Sequence, residues 1–368
     1  MTSHSKADVA IIGGGYYGCV AAIDIKAARP DLDVVVVERA KDLFAEASST
    51  NQGQLHAGYM YSKFPDLARE CAESAHLFQE RWGEAVNNQV QTLYGIHRDS
   101  DISPQAYERF CGEVGLYLRP AVDVLTGLRG GTLLALYDTD EKTFDNPRLQ
   151  QLIRDKLRAS AVRLSTDSEV TSITADPKAM TLGMADGRQI VARTVFNACF
   201  SDSNALHERA KLPKLPLEHA VFLHFLIRLP QDYRNAGLIV VRGMYAALSP
   251  LNNERATHTF ASGTQRVIHS GKIDAPSQQI TPEEVKERYR LAIAEALPYV
   301  PILAEAENVG HVIGTRTNYV DPTTQVAASR AMVLEHYAGR QNYHIIFGGK
   351  VTCLPEITNR VQKIAKEL

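Results

Sequence analysis

Three glycines near the start of the chain have the spacing that phosphate binding requires. Gly13, Gly15 and Gly18 form a G-x-G-x-x-G pattern, and Glu38 follows at the distance typical of a ribose-binding acid. The first glycine permits a tight turn, the second lets the backbone approach a pyrophosphate, and the third lets a helix pack closely on a strand. The free N–H groups at the start of that helix attract phosphate oxygens. The pattern therefore predicts a dinucleotide-binding site.

The elements that must position these residues can be recognised in the surrounding sequence. An apolar run precedes the glycines, a helical segment follows them, and a second apolar run ends at Glu38 and Arg39. This order predicts a βαβ unit. A polar loop from Ala47 to Gly58 comes next, followed by a helix that begins at Pro65. The loop therefore lies between two scaffold elements close to the nucleotide, where binding residues are often found.

The rest of the chain divides into helical and strand-rich parts. Helices are predicted at Pro104–Val114, at Pro120–Leu128, from Asp145 or Asn146 onward, and at Pro282–Leu297 after Thr281 as N-cap. Strands are predicted at 162–164 and 169–174, with a hairpin that turns at Asp186 and Gly187. From His219 to Ile268 one strand follows another, which predicts an antiparallel sheet in a second lobe.

Composition excludes several classes of protein. The chain has 368 residues, 45% of them hydrophobic and 22% charged, and a formal net charge of −2. This balance is typical of a globular protein with two lobes, and it gives no long-range attraction to nucleic acid or an anionic membrane. The five scattered cysteines form no C-x-x-C pair, and no histidine or cysteine spacing indicates a metal site. Without an 18-residue apolar run or a signal-peptide pattern, we expect a soluble cytoplasmic protein with no transmembrane segment.

Three cations near the end of the chain are candidates for anion binding. Arg316, Arg330 and Lys350 gather there in a protein that is slightly acidic overall. A guanidinium binds a carboxylate or phosphate through two parallel hydrogen bonds, and these are strong in a closed site. The alternative is that all three are surface charges paired with acidic side chains. Residue types alone leave both interpretations open.

Several segments together carry a family resemblance. They are GGGYYG with Glu38 and Arg39, SSTNQGQLHAGYMY, DNPRLQQLIRDKL, VFNAC, GTRTNY, SRAMVLEH and IIFGGKVT. With them the chain resembles the D-amino-acid oxidase superfamily of FAD-dependent oxidoreductases. The loop is most similar to that of L-2-hydroxyglutarate oxidases and dehydrogenases, and the tail to that of flavin-linked glycerol-3-phosphate dehydrogenases.

The resemblance implies a fold, a cofactor and a reaction. The fold is α/β with two lobes: a Rossmann-like FAD-binding lobe from residues 1–89, 146–215 and 305–368, and an antiparallel-sheet substrate lobe from residues 90–145 and 216–304. The implied reaction transfers hydride from a C–H bearing a hydroxyl or amine to flavin N5. The substrate is a small anionic hydroxy or amino acid, and oxygen or another acceptor reoxidises the flavin.

The resemblance also implies roles for individual residues. The ADP half of FAD is assigned to Gly13, Gly15, Gly18, Glu38 and Arg39, and the flavin ring or ribityl chain to Ser48, Ser49, Asn51, His56 and Gly58. The pyrimidine edge of the ring is assigned to Gly348, Gly349, Lys350 and Thr352, and the anionic part of the substrate to Arg316 and Arg330. Lys350 is also a catalytic candidate, because a cation near flavin N1 stabilises the anionic reduced ring. The alternative is an ordinary lysine at the start of a helix.

Three further side chains have competing interpretations. His56 is a hydrogen-bond donor to the ring, a covalent attachment point for flavin as in some superfamily members, or a buried histidine that holds the loop. His258 and Tyr245 lie on predicted strands of the second lobe, where alternate residues face one side. His258 is the candidate base for the hydroxyl proton and Tyr245 a candidate substrate contact. Both are otherwise packed or surface residues.

One segment departs from the family pattern, and two rival functions stay open. Where the family has an Asn-Ala-small-Gly turn, this chain has Asn197, Ala198, Cys199 and Phe200, which makes close backbone approach to the cofactor doubtful there. The first rival is a flavin monooxygenase or N-hydroxylase that uses NADPH, although the chain has a single G-x-G-x-x-G pattern. The second is a protein that binds FAD without catalysis.

Overall fold

The computed structural model describes residues 4–122, 124–176, 179–251, 255–272, 274–276, 278–323, 327–328, 331–351 and 354–368. The α-helices of this part are α1 (Tyr16–Ala28), α2 (Pro65–Trp82), α3 (Pro104–Val114), α4 (Asn146–Ala159), α5 (Ser203–Arg209), α6 (Pro282–Ala296) and α7 (Leu354–Glu367). The strands are β1 (His4–Ile12), β2 (Val34–Val37), β3 (Gln54–Leu55), β4 (Val86–Asn87), β5 (Gln91–His97), β6 (Leu118–Pro120), β7 (Leu133–Thr139), β8 (Lys142–Phe144), β9 (Arg163–Ser165), β10 (Val170–Ala175), β11 (Met180–Met184), β12 (Gln189–Asn197), β13 (Leu217–Arg228), β14 (Ala236–Val241), β15 (Ala247–Pro250), β16 (Thr257–Ala261), β17 (Val267–Lys272), β18 (Glu307–Val320), β19 (Ala327–Ala328), β20 (Met332–Leu334) and β21 (Tyr343–Phe347).

The first sheet contains the predicted βαβ unit. Its main strand order is β10-β11-β12-β1-β2-β9, with β21 beside β12 and β20 beside β21. β1 pairs in parallel with β12 and β2, and β2 in parallel with β9. Every residue of β2 is buried, as expected for a parallel strand covered on both faces. α1 crosses from β1 to β2 and packs against α4 and α7, so its first turn lies at the carboxyl ends of the strands, where ligands of such sheets bind.

The second sheet is the predicted strand-rich lobe. Its strand order is β19-β18-β13-β16-β15-β14-β5-β7-β6, with β17 also paired to β13. Neighbouring strands are antiparallel except for β14 and β5, which run parallel. The sheet is therefore mixed at this one pair, which the sequence pattern did not predict. A small third sheet has the strand order β3-β8-β4.

The predicted helix starts agree with the structure where capping chemistry is present. At α4 the Asp145 side chain accepts a hydrogen bond from the Arg148 N–H at 2.7 Å, and at α6 the Thr281 side chain accepts one from the Glu284 N–H at 3.2 Å. The hairpin predicted at Asp186 and Gly187 joins β11 and β12. These local signals act through nearby atoms, so they could be recognised without tertiary information.

One prediction about this part of the chain is wrong. No α-helix begins at Pro120, because the Ala121 N–H donates to the Leu136 carbonyl at 2.8 Å and so extends the pairing of β6 with β7; Thr126–Leu128 forms a single 3₁₀ turn. β18, which the predicted boundary at 305 assigns to the FAD-binding lobe, pairs with β13 from Tyr319 opposite Leu217 to Glu307 opposite Arg228, so residues 307–320 belong to the second sheet.

Candidate functional site

A large cavity lies where the first and second sheets meet. Its volume is about 1080 Å³, at the upper end of the roughly 300–1,000 Å³ that small-ligand sites occupy. Of the predicted site residues, eleven line it: Gly13, Gly15, Glu38, Arg39, Ser48, Asn51, His56, Arg316, Gly348, Gly349 and Lys350. Arg330 and Thr352 lie outside the described residues. The tertiary structure therefore gathers residues from both ends of the chain around one space.

The glycine turn is shaped by close backbone contacts. Gly13 has φ +108°, and a Cβ there would lie 2.7 Å from the carbonyl oxygen of Ala198. A Cβ on Gly18 would lie only 2.0 Å from the carbonyl oxygen of Gly13. Gly15 is the N-cap of α1 and, as a glycine, has no side chain to cap the helix. Gly18 does not line the cavity; its part is to let α1 start close against the turn.

The carboxylate of Glu38 joins the glycine turn to the end of β2. It is buried and accepts hydrogen bonds from the N–H of Gly14 at 2.6 Å and the N–H of Ala40 at 2.8 Å. Arg39 forms ion pairs with Glu46 at 3.0 Å and Asp202 at 2.8 Å across the same end of the cavity. The acid that the pattern predicts at this position therefore borders the cavity with a fixed orientation.

The loop after β2 divides into cavity-lining and structural residues. The Ser48 hydroxyl accepts a hydrogen bond from the N–H of Tyr16 at 2.9 Å, and the Asn51 amide donates to the Ser48 carbonyl at 2.8 Å. Ser49 does not line the cavity, and its hydroxyl donates to the Glu46 carbonyl at 3.0 Å. Gly58 does not line it either; its φ is +110°, and a Cβ there would meet the Ala68 carbonyl. Ser49 and Gly58 therefore shape the loop rather than touch a ligand.

His56 lines the cavity next to a buried acid that the sequence did not single out. Its Nδ1 lies 3.5 Å from Oε1 of Glu141, whose side chain is fully buried. Glu141 lies between β7 and β8, far from His56 in sequence, so only the fold brings the two together. No spacing pattern in the chain would have identified Glu141.

The last strand of the first sheet leads into the glycine pair. The Tyr17 hydroxyl donates a hydrogen bond to the Lys350 carbonyl. A Cβ on Gly348 would lie 2.5 Å from the Tyr17 ring. The Lys350 ammonium lies over the ring of Tyr61, 3.9 Å from its centroid, a geometry in which the ring face attracts the cation. Lys350 is therefore held at the cavity wall between α1 and the loop.

Two cations and a histidine surround one aromatic ring on the wall formed by the second sheet. Phe222 on β13 has the guanidinium of Arg316 4.9 Å and that of Arg266 5.5 Å from its ring centroid. The ring of His224 is parallel to it within 8°. All four side chains line the cavity. Neither arginine forms an ion pair among the described residues, and Nδ1 of His224 and Nε of Arg266 are buried without a hydrogen-bond partner. The two guanidiniums therefore place positive charge on this wall of the cavity.

The sequence analysis missed Phe222, His224 and Arg266. Phe222 and His224 occupy alternate positions of β13 and so share a face. That alternation was a usable signal, because a histidine within an apolar strand is a polar group that needs a partner. Arg266 precedes β17, which pairs with β13. It had no signal of its own in the sequence.

His258 and Tyr245 do not reach the cavity. His258 is fully buried, with Nδ1 2.9 Å from the Ala256 carbonyl and Nε2 3.1 Å from the Tyr233 carbonyl. Burial lowers its pKa. The Tyr245 ring packs against His97 at 4.6 Å between centroids. His258 lies on β16 as predicted, but its side chain is on the face opposite the cavity, whereas Tyr245 lies in the connection between β14 and β15 and not on a strand. Neither side chain is therefore a candidate for substrate contact or proton transfer.

The unusual turn after β12 still allows close packing. The Ala198 N–H donates to the Ile12 carbonyl at 2.8 Å, and the Cys199 N–H donates to the Asn197 side chain at 2.9 Å. Phe200 takes the left-handed conformation, with φ +49°, which glycine would adopt at less cost. Since Ala198, Cys199 and Phe200 all line the cavity, the backbone does approach the ligand space here, contrary to the doubt raised by the sequence.

Because the His224 side chain is buried, we expect the stability of the protein to depend on pH. Burial, and then the charge of Arg266, lower its pKa to about 4. Between pH 6.5 and 4 the unfolded chain therefore binds a proton at this position that the folded chain does not, so stability falls as the pH falls. His224→Asn should reduce the slope of the unfolding free energy against pH by about 1 kcal/mol per pH unit in this window. Urea unfolding of FAD-free protein measures it.

The matched control for this pH dependence is His76→Asn on α2. His76 is 74% exposed and its contact with Glu80 lies at the surface, so this variant removes a histidine without altering a buried site. We expect the slope of this variant to equal that of the unmodified protein. If the slope of the His224→Asn variant equals that of the unmodified protein, the burial of a neutral His224 is contradicted.

The lining residues fit a flavin dinucleotide. At one end, the glycine turn and the start of α1, whose N-cap glycine has no side chain, border the cavity beside Glu38, and the N–H groups of a helix start attract phosphate. Toward the other end, Lys350, Arg266 and Arg316 offer positive charge and hydrogen-bond donors. Comparisons with known proteins agree with this assignment.

A family model described as DAO, FAD dependent oxidoreductase, matches residues 8–351. The chain is 36% identical over 75 residues to the mitochondrial L-2-hydroxyglutarate dehydrogenase of Caenorhabditis briggsae, which covers 20% of this chain and 17% of that protein. It is 27% identical over 201 residues to the FAD-dependent monooxygenase kojA of Aspergillus flavus, covering 52% of this chain and 45% of that protein. Glycine oxidase from Geobacillus kaustophilus shares the fold, with a TM-score of 0.74 at 18% identity over 99% of this chain and 95% of that one.

These findings differ in what they cover. The chain spans less than half of the length of the two curated relatives described here, whereas the family model and the solved structure extend over nearly all of it. The predicted α/β fold with a Rossmann-like lobe is confirmed, as is the predicted cofactor, FAD. The chain belongs to the DAO family of FAD-dependent oxidoreductases.

Proposed function

We propose that the protein is an FAD-dependent oxidase or dehydrogenase of a small anionic hydroxy or amino acid. The observation that carries the proposal is the cluster of Arg316, Arg266 and His224 around Phe222 on the cavity wall. Neither guanidinium forms an ion pair among the described residues, although the charge of Glu218 acts on Arg316, and the two place positive charge on the cavity wall of a slightly acidic protein. A substrate carboxylate would neutralise this charge through paired hydrogen bonds.

The binding of FAD itself is assigned to the other residues of the cavity. Gly13, Gly15, Glu38 and Arg39 would hold the ADP half, and Ser48, Asn51, Gly348, Gly349 and Lys350 would border the rest. Gly18 supports the turn from behind. Arg330 and Thr352 stay predictions from the resemblance. The two lobes, with the boundary moved so that 307–320 joins the substrate lobe, are proposed on the same basis.

When bound, FAD would supply the acceptor for the hydride of the substrate C–H bond. Arg316 and Arg266 bind the acid group and so fix the orientation of the reacting carbon. His56 accepts the hydroxyl or ammonium proton, because it lines the cavity and has a buried carboxylate behind it. Lys350 contributes positive charge at the wall beside Tyr61. His56 thereby takes the role predicted for His258.

The proposal is tested by reduction of the flavin in purified holoenzyme under anaerobic conditions. Panels of 2-hydroxy acids and amino acids are mixed with the protein, and the loss of flavin absorbance is followed. The name of the C. briggsae relative makes hydroxy dicarboxylic acids the first compounds to try. We expect bleaching by one acid class and none by its uncharged ester. Equal bleaching by acid and ester would contradict the role of the cationic cluster.

A monooxygenase is the second candidate, because the A. flavus relative carries that name over about half of this chain. Such an enzyme needs NADPH to reduce its flavin before oxygen is used. Bleaching by NADPH without any acid would favour this candidate, and the single G-x-G-x-x-G pattern argues against it. If neither NADPH nor any acid reduces bound FAD, the remaining alternative is a flavoprotein without catalysis.

The electron acceptor and the cellular location stay open predictions. Within the described residues, no helix has both the length and the apolar character needed to cross a bilayer. The predicted cytoplasmic location has no support of its own, since L-2-hydroxyglutarate dehydrogenases described as mitochondrial are among the relatives. Oxygen consumption during turnover, compared with reduction of an artificial acceptor, separates an oxidase from a dehydrogenase.

A further inference from the structure

Three hydrogen-bond donors surround a buried carboxylate next to the cavity. Glu141 is 1% exposed. Its Oε1 accepts hydrogen bonds from the Gln54 amide and the Tyr94 hydroxyl, both at 2.7 Å, and its Oε2 accepts one from the Ala57 N–H at 2.8 Å. These three hydrogen bonds engage both carboxylate oxygens, and Nδ1 of His56 lies 3.5 Å from Oε1 without a hydrogen bond to it. The side chain is therefore fixed in position.

The charge of Glu141 has one ionisable partner of opposite sign. In the described part of the chain, its only ion-pair contact is His56, at 3.5 Å from Nδ1 to Oε1. A buried carboxylate is costly unless it is paired or hydrogen-bonded. The three neutral donors offset part of the free energy of burying the carboxylate, and a proton on Nδ1 of His56 offsets more of it. The carboxylate therefore favours the tautomer of His56 that carries its proton on Nδ1.

The consequence concerns the other ring nitrogen. When Nδ1 carries the proton of a neutral imidazole, Nε2 has the lone pair. Nδ1 is buried while His56 lines the cavity, so Nε2 is the nitrogen available to a ligand. A carboxylate behind a histidine also stabilises the imidazolium that forms when Nε2 takes a proton, as in the hydrolase triad.

We propose that Glu141 is a positioning residue that holds His56 with Nδ1 on the carboxylate and Nε2 toward the cavity, as a proton acceptor. The part of this proposal that concerns proton transfer rests on the proposed function. The orientation and tautomer of His56 are independent of any substrate. The proton that leaves the substrate heteroatom goes to Nε2, and the two electrons of the C–H bond leave with the hydride to FAD.

Three tyrosines near Glu141 and His56 add no charge to this pair at neutral pH. Tyr94 on β5 and Tyr107 on α3 are buried, and burial with the charge of Glu141 raises the pKa of both far above the usual value. Burial and a hydrogen bond to Asp140 raise the pKa of Tyr59 above its usual value. These hydroxyls stay protonated, so they add donors rather than charge around Glu141.

The network also connects both walls of the cavity. Gln54 donates to Glu141 and accepts a hydrogen bond from the Ser249 hydroxyl on β15 at 2.7 Å. Gln54, His56 and Ser249 all line the cavity. Glu141 therefore fixes the loop bearing His56 relative to the second sheet, which carries the cationic cluster.

The experiment is a double-mutant cycle on holoenzyme with Glu141→Gln, His56→Asn and the combination. If Glu141 acts through His56, Glu141→Gln lowers kcat by about 10²-fold or more, and adds little in the His56→Asn background. Multiplicative effects of the two substitutions would overturn the proposal.

A second readout needs no turnover. ¹⁵N NMR of histidine-labelled protein reports which ring nitrogen of His56 carries the proton, and the His56→Asn spectrum assigns the signal. We expect Nδ1–H in the unmodified protein and a mixture of tautomers in Glu141→Gln. Tyr94→Phe is the matched control, since it removes one hydrogen bond to Oε1 but keeps the charge, and it should retain the tautomer.

The two readouts separate the possible failures. Nε2–H in the unmodified protein, or the same tautomer in Glu141→Gln, would overturn the positioning role whatever the substrate. Nδ1–H with no reduction by any acid would leave the positioning of His56 supported while the proposed function fails. A Glu141→Gln variant that does not fold is recognised by circular dichroism, and Glu141→Asp then supplies a variant that keeps the charge at a longer distance from Nδ1.

Discussion

Gly18→Ala is expected to purify with little or no bound FAD. The added Cβ would lie 2.0 Å from the Gly13 carbonyl oxygen, a backbone atom that cannot rotate away. α1 must then move off the glycine turn, and its first N–H groups move with it. Overpacking of this kind costs about 1–3 kcal/mol, which corresponds to roughly a 10- to 100-fold loss of FAD affinity. Fluorescence titration of FAD-free protein with FAD measures the change.

The control for this prediction is Gly112→Ala in α3. Gly112 is an exposed helical glycine, and a Cβ there would meet no atom within 4 Å. We expect unchanged FAD affinity and a stability equal to or up to about 1 kcal/mol above that of the unmodified protein, because alanine favours the helix. Full FAD occupancy with normal affinity in Gly18→Ala would show that the turn does not need the close approach.

Arg316→Met is expected to lower kcat/KM for the acid substrate by about 10²- to 10³-fold. Methionine keeps much of the packing on Phe222 but removes the guanidinium, which lies 4.9 Å from that ring on the cavity wall. Truncating one partner of a desolvated charged hydrogen bond costs about 2–5 kcal/mol. FAD content should be unchanged. Steady-state kinetics and the rate of anaerobic flavin reduction measure the effect.

Arg228→Met is the matched control for the loss of charge. Arg228 is the last residue of β13 and pairs at the surface with Glu307 at 2.6 Å. Exposed pairs contribute about 1 kcal/mol or less to stability, and this one lies outside the cavity lining. Normal kinetics are expected. If Arg316→Met retains full activity on the acid, the cationic cluster does not bind the substrate.

The residues found by sequence reasoning share a local cause. The glycine turn, Glu38 and the caps at Asp145 and Thr281 depend on atoms within one or two elements. Their physical requirements leave a pattern of residue types at short spacing, and that pattern can be recognised in isolation.

The errors have a different cause. Periodicity assigned β16 correctly to the second sheet but did not indicate which face of it meets the cavity. His258 was therefore expected on the cavity face of the sheet, whereas its side chain is buried on the other face. A shift by one residue reverses the face on which every side chain of a strand lies. The pairing of β18 with β13 could not be predicted either, because it is a long-range contact.

The amino-acid sequence by itself determined the first βαβ unit, the dinucleotide turn and the membership of a flavin-dependent family, because each depends on short-range spacing. Only the tertiary structure decided which side chains meet around the cavity. Glu141 reaches His56, and Arg266 reaches Phe222, through contacts between segments far apart in the chain. The reason is physical: charge, burial and hydrogen bonding act across space, and the pairing of strands sets those distances.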